Sequence, residues 1–236
     1  MLILFDIDMT LLETDHIGIE LLEAAGRAHF QADFTAEGIV FGGGLDPNII
    51  RDMLTSNGQQ VTPENIQALR SHYHRGLADL AAQRAIARPL AGAHDLVNAT
   101  RDHPGIQAIG VLTGNFPETG AIKLSSAGFN PGHFVINAWG DASSHAKPHR
   151  SHLPPVAIEA FKASRQEPID PDQVVIIGDT IHDVSCALDN DCRVLAVATG
   201  HATRQELEDA GAHLVVDDLT HTQDLLEWIM TTPARR

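Results

Sequence analysis

The chain has 236 residues, enough to bury a sizeable core as one large domain or two modest ones. Its composition is ordinary for a globular protein, with 43% hydrophobic and 20% charged residues. A formal net charge of −15 leaves no basic face for nucleic acid or an anionic membrane, and no run reaches the roughly 18 apolar residues that cross a bilayer.

Taken in chain order, Leu2-Ile3-Leu4-Phe5 reads as a buried strand, since it lacks the basic flank and cleavage site of a leader. Residues 14–88 then carry helical patterns (Ile17 to Phe30, Pro47 to Leu54, Pro63 to Ala87) and no convincing strand. Thr62 is placed to cap the last of these, with Pro63 in its first turn. Gly42-Gly43-Gly44 reads as an ordinary turn between helices. The chain leaves this block at Arg88-Pro89-Leu90-Ala91-Gly92, where Pro and Gly punctuate. Strand-length apolar runs follow at 106–112, 133–136, 174–177, 193–198 and 213–216. Helical stretches at Leu153 to Ala163, Ile181 to Leu188 and Leu219 to Ile229 alternate with them. The expected fold is therefore α/β, a mostly parallel sheet with helices on both faces. Residues 1–13 and 89–236 form the core, and 14–88 a smaller helical domain inserted after the first strand. Cys186 and Cys192 are expected to be small buried hydrophobes in a reducing compartment, with the cytoplasm as default. Arg235-Arg236 is a terminal basic pair.

The chemistry lies where loops leave the strands. Asp6 and Asp8 are two apart just past the first strand, so on an extended chain both point to one side, where open parallel sheets bind ligands. One carboxylate can attack phosphorus while the other protonates the leaving oxygen and later activates water. Thr10 is a donor for either. Gly178-Asp179-Thr180-Ile181-His182-Asp183 repeats the plan, with Asp183 one helical turn beyond Asp179. Four converging carboxylates need a divalent cation between them, and Mg²⁺ suits oxygen ligands. Thr113, with the N–H groups of Gly114 and Asn115 after another buried strand, suits a phosphate oxygen. Lys147, or Arg150 in its place, would offset the acids. His145, His149 and His152 crowd the same loop, but no cysteine lies close enough in sequence to suggest zinc.

These four segments, in this order and over essentially the whole chain, resemble the haloacid dehalogenase (HAD) superfamily and its phosphoglycolate-phosphatase-like hydrolases. Phe5-Asp6-Ile7-Asp8-Met9-Thr10-Leu11 looks like the first motif and Leu112-Thr113-Gly114-Asn115, with Ile122-Lys123-Leu124 after it, like the second. Lys147-Pro148 looks like the third and Gly178 to Asp183 like the fourth. The resemblance implies a Rossmann-like core, a helical cap and Mg²⁺. It makes Asp6 the nucleophile, Asp8 the general acid/base, and Thr113 and Lys147 phosphate-binding groups. The metal would be held by Asp6, the Asp8 carbonyl and Asp179, supported by Asp183. Met9 departs from the glycine commonest at its position.

The expected function is a Mg²⁺-dependent phosphatase acting on a small phosphorylated metabolite through an aspartyl phosphate. A sugar-phosphate mutase keeps every one of these residues. A 2-haloacid dehalogenase needs neither Asp8 nor a metal. Specificity is expected from the helical block, where Arg51, His72, His74 and Arg75 read either as ordinary surface residues or as candidate anion contacts.

Overall fold

The computed structural model describes residues 1–231, so Arg235-Arg236 lies outside the described residues. Strand β1 (Leu2–Phe5) lies at the centre of a six-stranded sheet. A two-residue strand, β2 (Leu12–Glu13), leads into α1 (Ile17–His29), α2 (Asp46–Ser56) and α3 (Pro63–Gln83). The chain returns through β3 (Arg88–Pro89), which pairs antiparallel with β2. It continues through α4 (Ala93–Asp102), β4 (Ala108–Leu112), α5 (Pro117–Ser126) and β5 (Ile136–Ala138). Then come α6 (Leu153–Arg165), β6 (Val174–Gly178), α7 (Ile181–Leu188) and β7 (Arg193–Val197). The last elements are α8 (Arg204–Asp209), β8 (Leu214–Val216) and α9 (Thr222–Met230).

The sheet is parallel throughout, in the order β5-β4-β1-β6-β7-β8. Alternation within β1 shows why it is buried on both sides: Ile3 and Phe5 join one hydrophobic cluster, Leu2 and Leu4 the other. The first cluster is closed by residues of α4, α5 and α9, the second by residues of α6, α7 and α8. This is the α/β Rossmann-like architecture, with loops from β1, β4 and β6 converging at the carboxyl ends of adjacent strands.

Helices α1–α3 pack a third cluster of their own, including Leu22, Ile50, Met53, Leu69 and Leu77. Thr62 caps α3 by accepting the Asn65 N–H. The block is tied to the sheet's loops by polar contacts. Arg70 of α3 pairs with Glu118 at 2.6 Å and Asp141 at 2.9 Å, and the Asn48 side chain donates to the Pro148 carbonyl at 2.9 Å.

One apolar run shifts from its expected place. Residues 133–136 read as a strand, but Pro131–His133 forms a 3-10 turn and the strand begins only at Ile136. Pro131 cannot donate to a ladder, and the Asn130 side chain accepts the Gly132 N–H to close the turn instead.

Candidate active site

Strand ends deliver three buried carboxylates to one spot. The Asp6 N–H still donates to the Ile177 carbonyl at 2.8 Å, so β1 carries Asp6 to the rim of the sheet. Asp179 leaves β6, and Asp183 sits in the first turn of α7. Thr180 fixes that turn as a capping box. Its hydroxyl accepts the Asp183 N–H, and its own N–H and hydroxyl donate to Asp183 Oδ2 at 3.1 and 2.6 Å. A side chain at Gly178 would strike the Asp183 carboxyl, so that backbone must pass close. Thr10 Oγ1 donates to Asp179 Oδ1 at 3.0 Å. One oxygen each from Asp6, Asp179 and Asp183 lie within 4.8 Å of one another.

A single cation faces this cluster. Arg150 Nη2 is 3.0 Å from Asp6 Oδ2 and 2.6 Å from Asp183 Oδ1, and its side chain is only 4% exposed. Lys147 is exposed and forms no ion pair within the described residues. The reason is local. Lys147-Pro148-His149 runs along the surface, and the 3-10 turn Arg150–His152 directs residue 150 inward. The structure thus brings Arg150, not Lys147, to the carboxylates.

Three carboxylates against one guanidinium leave an excess of two negative charges. Burial, only partly offset by Arg150, raises the Asp6 pKa to about 6. Burial and the neighbouring Asp6 and Asp183 push Asp179 well above the usual carboxylate range. Burial alone would lower Arg150, but Asp183 and Asp6 outweigh it and hold the guanidinium above its ordinary value. Asp183 Oδ1 touches Arg150 without hydrogen-bonding geometry and has no hydrogen-bond partner. An all-oxygen donor set, an orphaned carboxylate oxygen and this charge excess fit a hard divalent cation.

Asp8 faces a different environment. Lys123 Nζ grips both its oxygens at 2.9 and 2.8 Å, and Asn115 Nδ2 donates to Oδ2 at 2.7 Å. Asn115 Oδ1 in turn accepts from Lys123 at 2.6 Å, and Thr113 Oγ1 accepts from Asn115 Nδ2 at 2.9 Å. Burial would lower the Lys123 ammonium, but Asp8, Tyr73 and Asp46 outweigh it and raise its pKa. Asp46 opens α2, donates its N–H to the Gly114 carbonyl at 2.8 Å and accepts the Phe116 N–H at 3.0 Å. Burial raises its pKa to about 6 despite Lys123 nearby. Lys123, Asp46 and Tyr73 carry no role in the sequence reading. The available signal is that Lys123 lies beside Leu124 and one turn from Thr119, all buried on the inward face of α5.

Both carboxylate groups open into one cavity of about 630 Å³, with Thr113, Gly114 and Asn115 on its wall. Gly42, Gly43 and Gly44 line it too, so the triplet is more than a turn between helices. Gly43 adopts φ +69° with its backbone against the His182 ring, and the Gly44 carbonyl occupies the space a side chain on Gly114 would need. Arg51, His72, His74 and Arg75 do not line the cavity, which leaves the surface reading of them. Arg51 Nη1 donates to Asn48 at 3.3 Å, His72 packs edge-on against His29, and Arg75 is exposed. They lie on helix faces turned away from the opening, where the 3.6-residue period puts polar residues in solvent.

Residues 146–222 match the HAD-hydrolase-like family model. That stretch of the chain is HAD-hydrolase-like in sequence. No curated protein matches the chain in sequence. Solved structures extend the likeness to the whole fold. A hydrolase from Pseudomonas syringae is 22% identical at a TM-score of 0.69, covering 97% of this chain and 99% of its own. CbbY from Rhodobacter sphaeroides, described in complex with xylulose-(1,5)bisphosphate, is 20% identical at a TM-score of 0.71, covering 93% and 95%. A predicted phosphoglycolate phosphatase from Haemophilus somnus is 14% identical at a TM-score of 0.68, covering 95% and 97%. The family match spans the loop holding Arg150 and the HAD segment holding Asp179 and Asp183, while Asp6 and Asp8 lie outside it. Among the described residues no helix is long and apolar enough to cross a membrane.

Proposed function

We propose that the protein is a Mg²⁺-dependent phosphatase of a small phosphomonoester, with Asp6 as nucleophile and Asp8 as general acid and base. The observation that carries this reading is the buried Asp6–Asp179–Asp183 cluster, opposed by one arginine and opening into the cavity that Asp8 also lines. Phosphatases among the structural neighbours support it. Asp6, Asp179 and Asp183, with the Asp8 carbonyl, would hold Mg²⁺, which when bound neutralises charge on the phosphoryl oxygens. Helices α1–α3, residues 14–88, are proposed to be a cap over the core of 1–13 and 89–236. The two free, buried cysteines are in keeping with the cytoplasm.

The residues of the chain divide the work. An Asp6 oxygen attacks phosphorus, and the bond to the ester oxygen breaks. Asp8 gives its proton to that oxygen, so an alcohol leaves. Water then attacks the phosphorus of the aspartyl phosphate as Asp8 takes its proton back, which releases phosphate and restores Asp6. Arg150 holds Asp6 in place, Lys123 and Asn115 hold Asp8, and Thr113 with the Gly114 and Asn115 N–H groups faces the phosphoryl oxygens.

Asp6→Asn keeps the shape of the nucleophile but cannot form the acyl phosphate. Turnover of para-nitrophenyl phosphate should fall at least about 10³-fold in a folded protein. Wild-type activity should vanish in chelator and return with Mg²⁺. Near-normal rates from folded Asp6→Asn, or full activity in chelator, would sink the reading.

A further inference from the structure

We infer that the substrate carries a single phosphate on an uncharged, partly apolar alcohol, and no second anionic group. This deepens the phosphatase reading and rests on it. The cavity is poor in cations. Among the described residues only Lys123 and Arg150 line it as permanent cations. Each is already committed, Lys123 to Asp8 and Asn115, Arg150 to Asp6 and Asp183.

The wall that helices α1–α3 contribute is apolar except at Asp46, a further acid, and the Tyr73 hydroxyl. Ile19, Leu22, Phe41, Ile49 and the Tyr73 ring face the cavity from the helical block. Where that wall meets the core, Glu13 and Asp15 line it as well. Their only cationic partner is Arg88, at 2.7 and 3.4 Å, which points to solvent and does not line the cavity. Of the block's other arginines, Arg51, Arg75 and Arg84 do not line the cavity. Arg70 pairs with Glu118 and Asp141 and stacks over the Phe116 ring, and Arg27 pairs with Glu23.

A carboxylate or second phosphate at the far end of the substrate would therefore lose water without gaining a counter-ion, beside two acids. An alcohol with an apolar face loses less on entry and covers the wall. His16, His182 and His201 on the rim offer hydrogen bonds to its hydroxyls. A volume of about 630 Å³ admits a leaving group of sugar or aryl size.

The test uses two aryl phosphates, only one of which carries a second charge, one methylene away from the ring: 4-ethylphenyl phosphate and 4-(carboxymethyl)phenyl phosphate, assayed with Mg²⁺. Wild type should favour the ethyl compound by about tenfold or more in kcat/KM, through KM. Ile19→Lys, which puts a cation on the wall, should narrow that ratio several-fold, and Thr14→Lys is the alternative if Ile19→Lys does not fold. Equal use or preference for the carboxylate, or a ratio unmoved by the folded lysine variant, would overturn the inference while leaving the phosphatase reading standing. Hydrolysis of neither compound would overturn both together.

Discussion

Asp6 and Asp8 leave the same strand two residues apart, yet the chain surrounds them with opposite chemistry. Asp6 is buried with two other carboxylates and shares one arginine with Asp183. Asp8 is partly open to the cavity, and a lysine and an amide grip both its oxygens. The first arrangement leaves negative charge uncompensated and creates a demand for a cation. The second is balanced within the protein and holds one carboxylate in a fixed orientation. One motif therefore holds two carboxylates in opposite environments because of their neighbours, not because of spacing.

The contrast breaks most sharply at Arg150. Removing it leaves three buried carboxylates without any internal cation, so Arg150→Ala should cost about 3–5 kcal/mol in metal-free protein. Lys147→Ala, on the exposed loop, should stay within about 0.5 kcal/mol. Urea unfolding of both variants in chelator checks this, and similar losses for the two would remove Arg150 from the centre of the site. Added Mg²⁺ should recover part of the Arg150→Ala loss and leave Lys147→Ala unchanged.

The second centre is tested at Lys123. Lys123→Met should lower kcat on an aryl phosphate by about 10²-fold with KM nearly unchanged, since the lysine orients Asp8 and does not contact the phosphoryl group in this reading. Lys123→Arg should recover part of the rate. A folded Lys123→Met with wild-type kcat would mean that Asp8 needs no such grip.

Much of the scaffold was legible because it follows from local rules. The buried runs of β1 and β6 have no polar residue before their ends, and Ile181 to Leu188 matches α7 residue for residue. The Asp179–Asp183 turn was legible too, since a capping box is a relation between residues three apart. The cations were not. Whether Lys147 or Arg150 turns inward depends on a 3-10 turn that no periodicity announces. Lys123 meets Asp8 across 115 residues, and the motif segment that contains it names no partner for it. Met9 shows the reverse case. The position reads as one for glycine, and the residue does adopt φ +59°, so the backbone demand was visible even though the residue departed from it.

The smallest effect tests whether Asp46 belongs with the buried acids. Burial raises its pKa from the usual 3.8 to about 6. An acid whose folded pKa is raised binds its proton more tightly in the native state between those two values. That state is therefore favoured at low pH, and the advantage is lost as pH rises from about 4 through about 6. Asp6 and Asp179 push stability in the same direction. Glu118, held low by its hydrogen bond to Arg70, pushes the opposite way. The wild-type curve alone cannot separate these contributions, but its difference from Asp46→Asn can. The asparagine keeps an acceptor for the Phe116 N–H and does not titrate. Relative to wild type, Asp46→Asn should gain stability between pH 4 and pH 6, by an amount of the order of 2–3 kcal/mol, and then level off. Urea midpoints at four pH values in chelator give that difference directly. A gap that stays flat from pH 4 to pH 7 would show that the carboxylate at the head of α2 sits in water as comfortably as any surface aspartate.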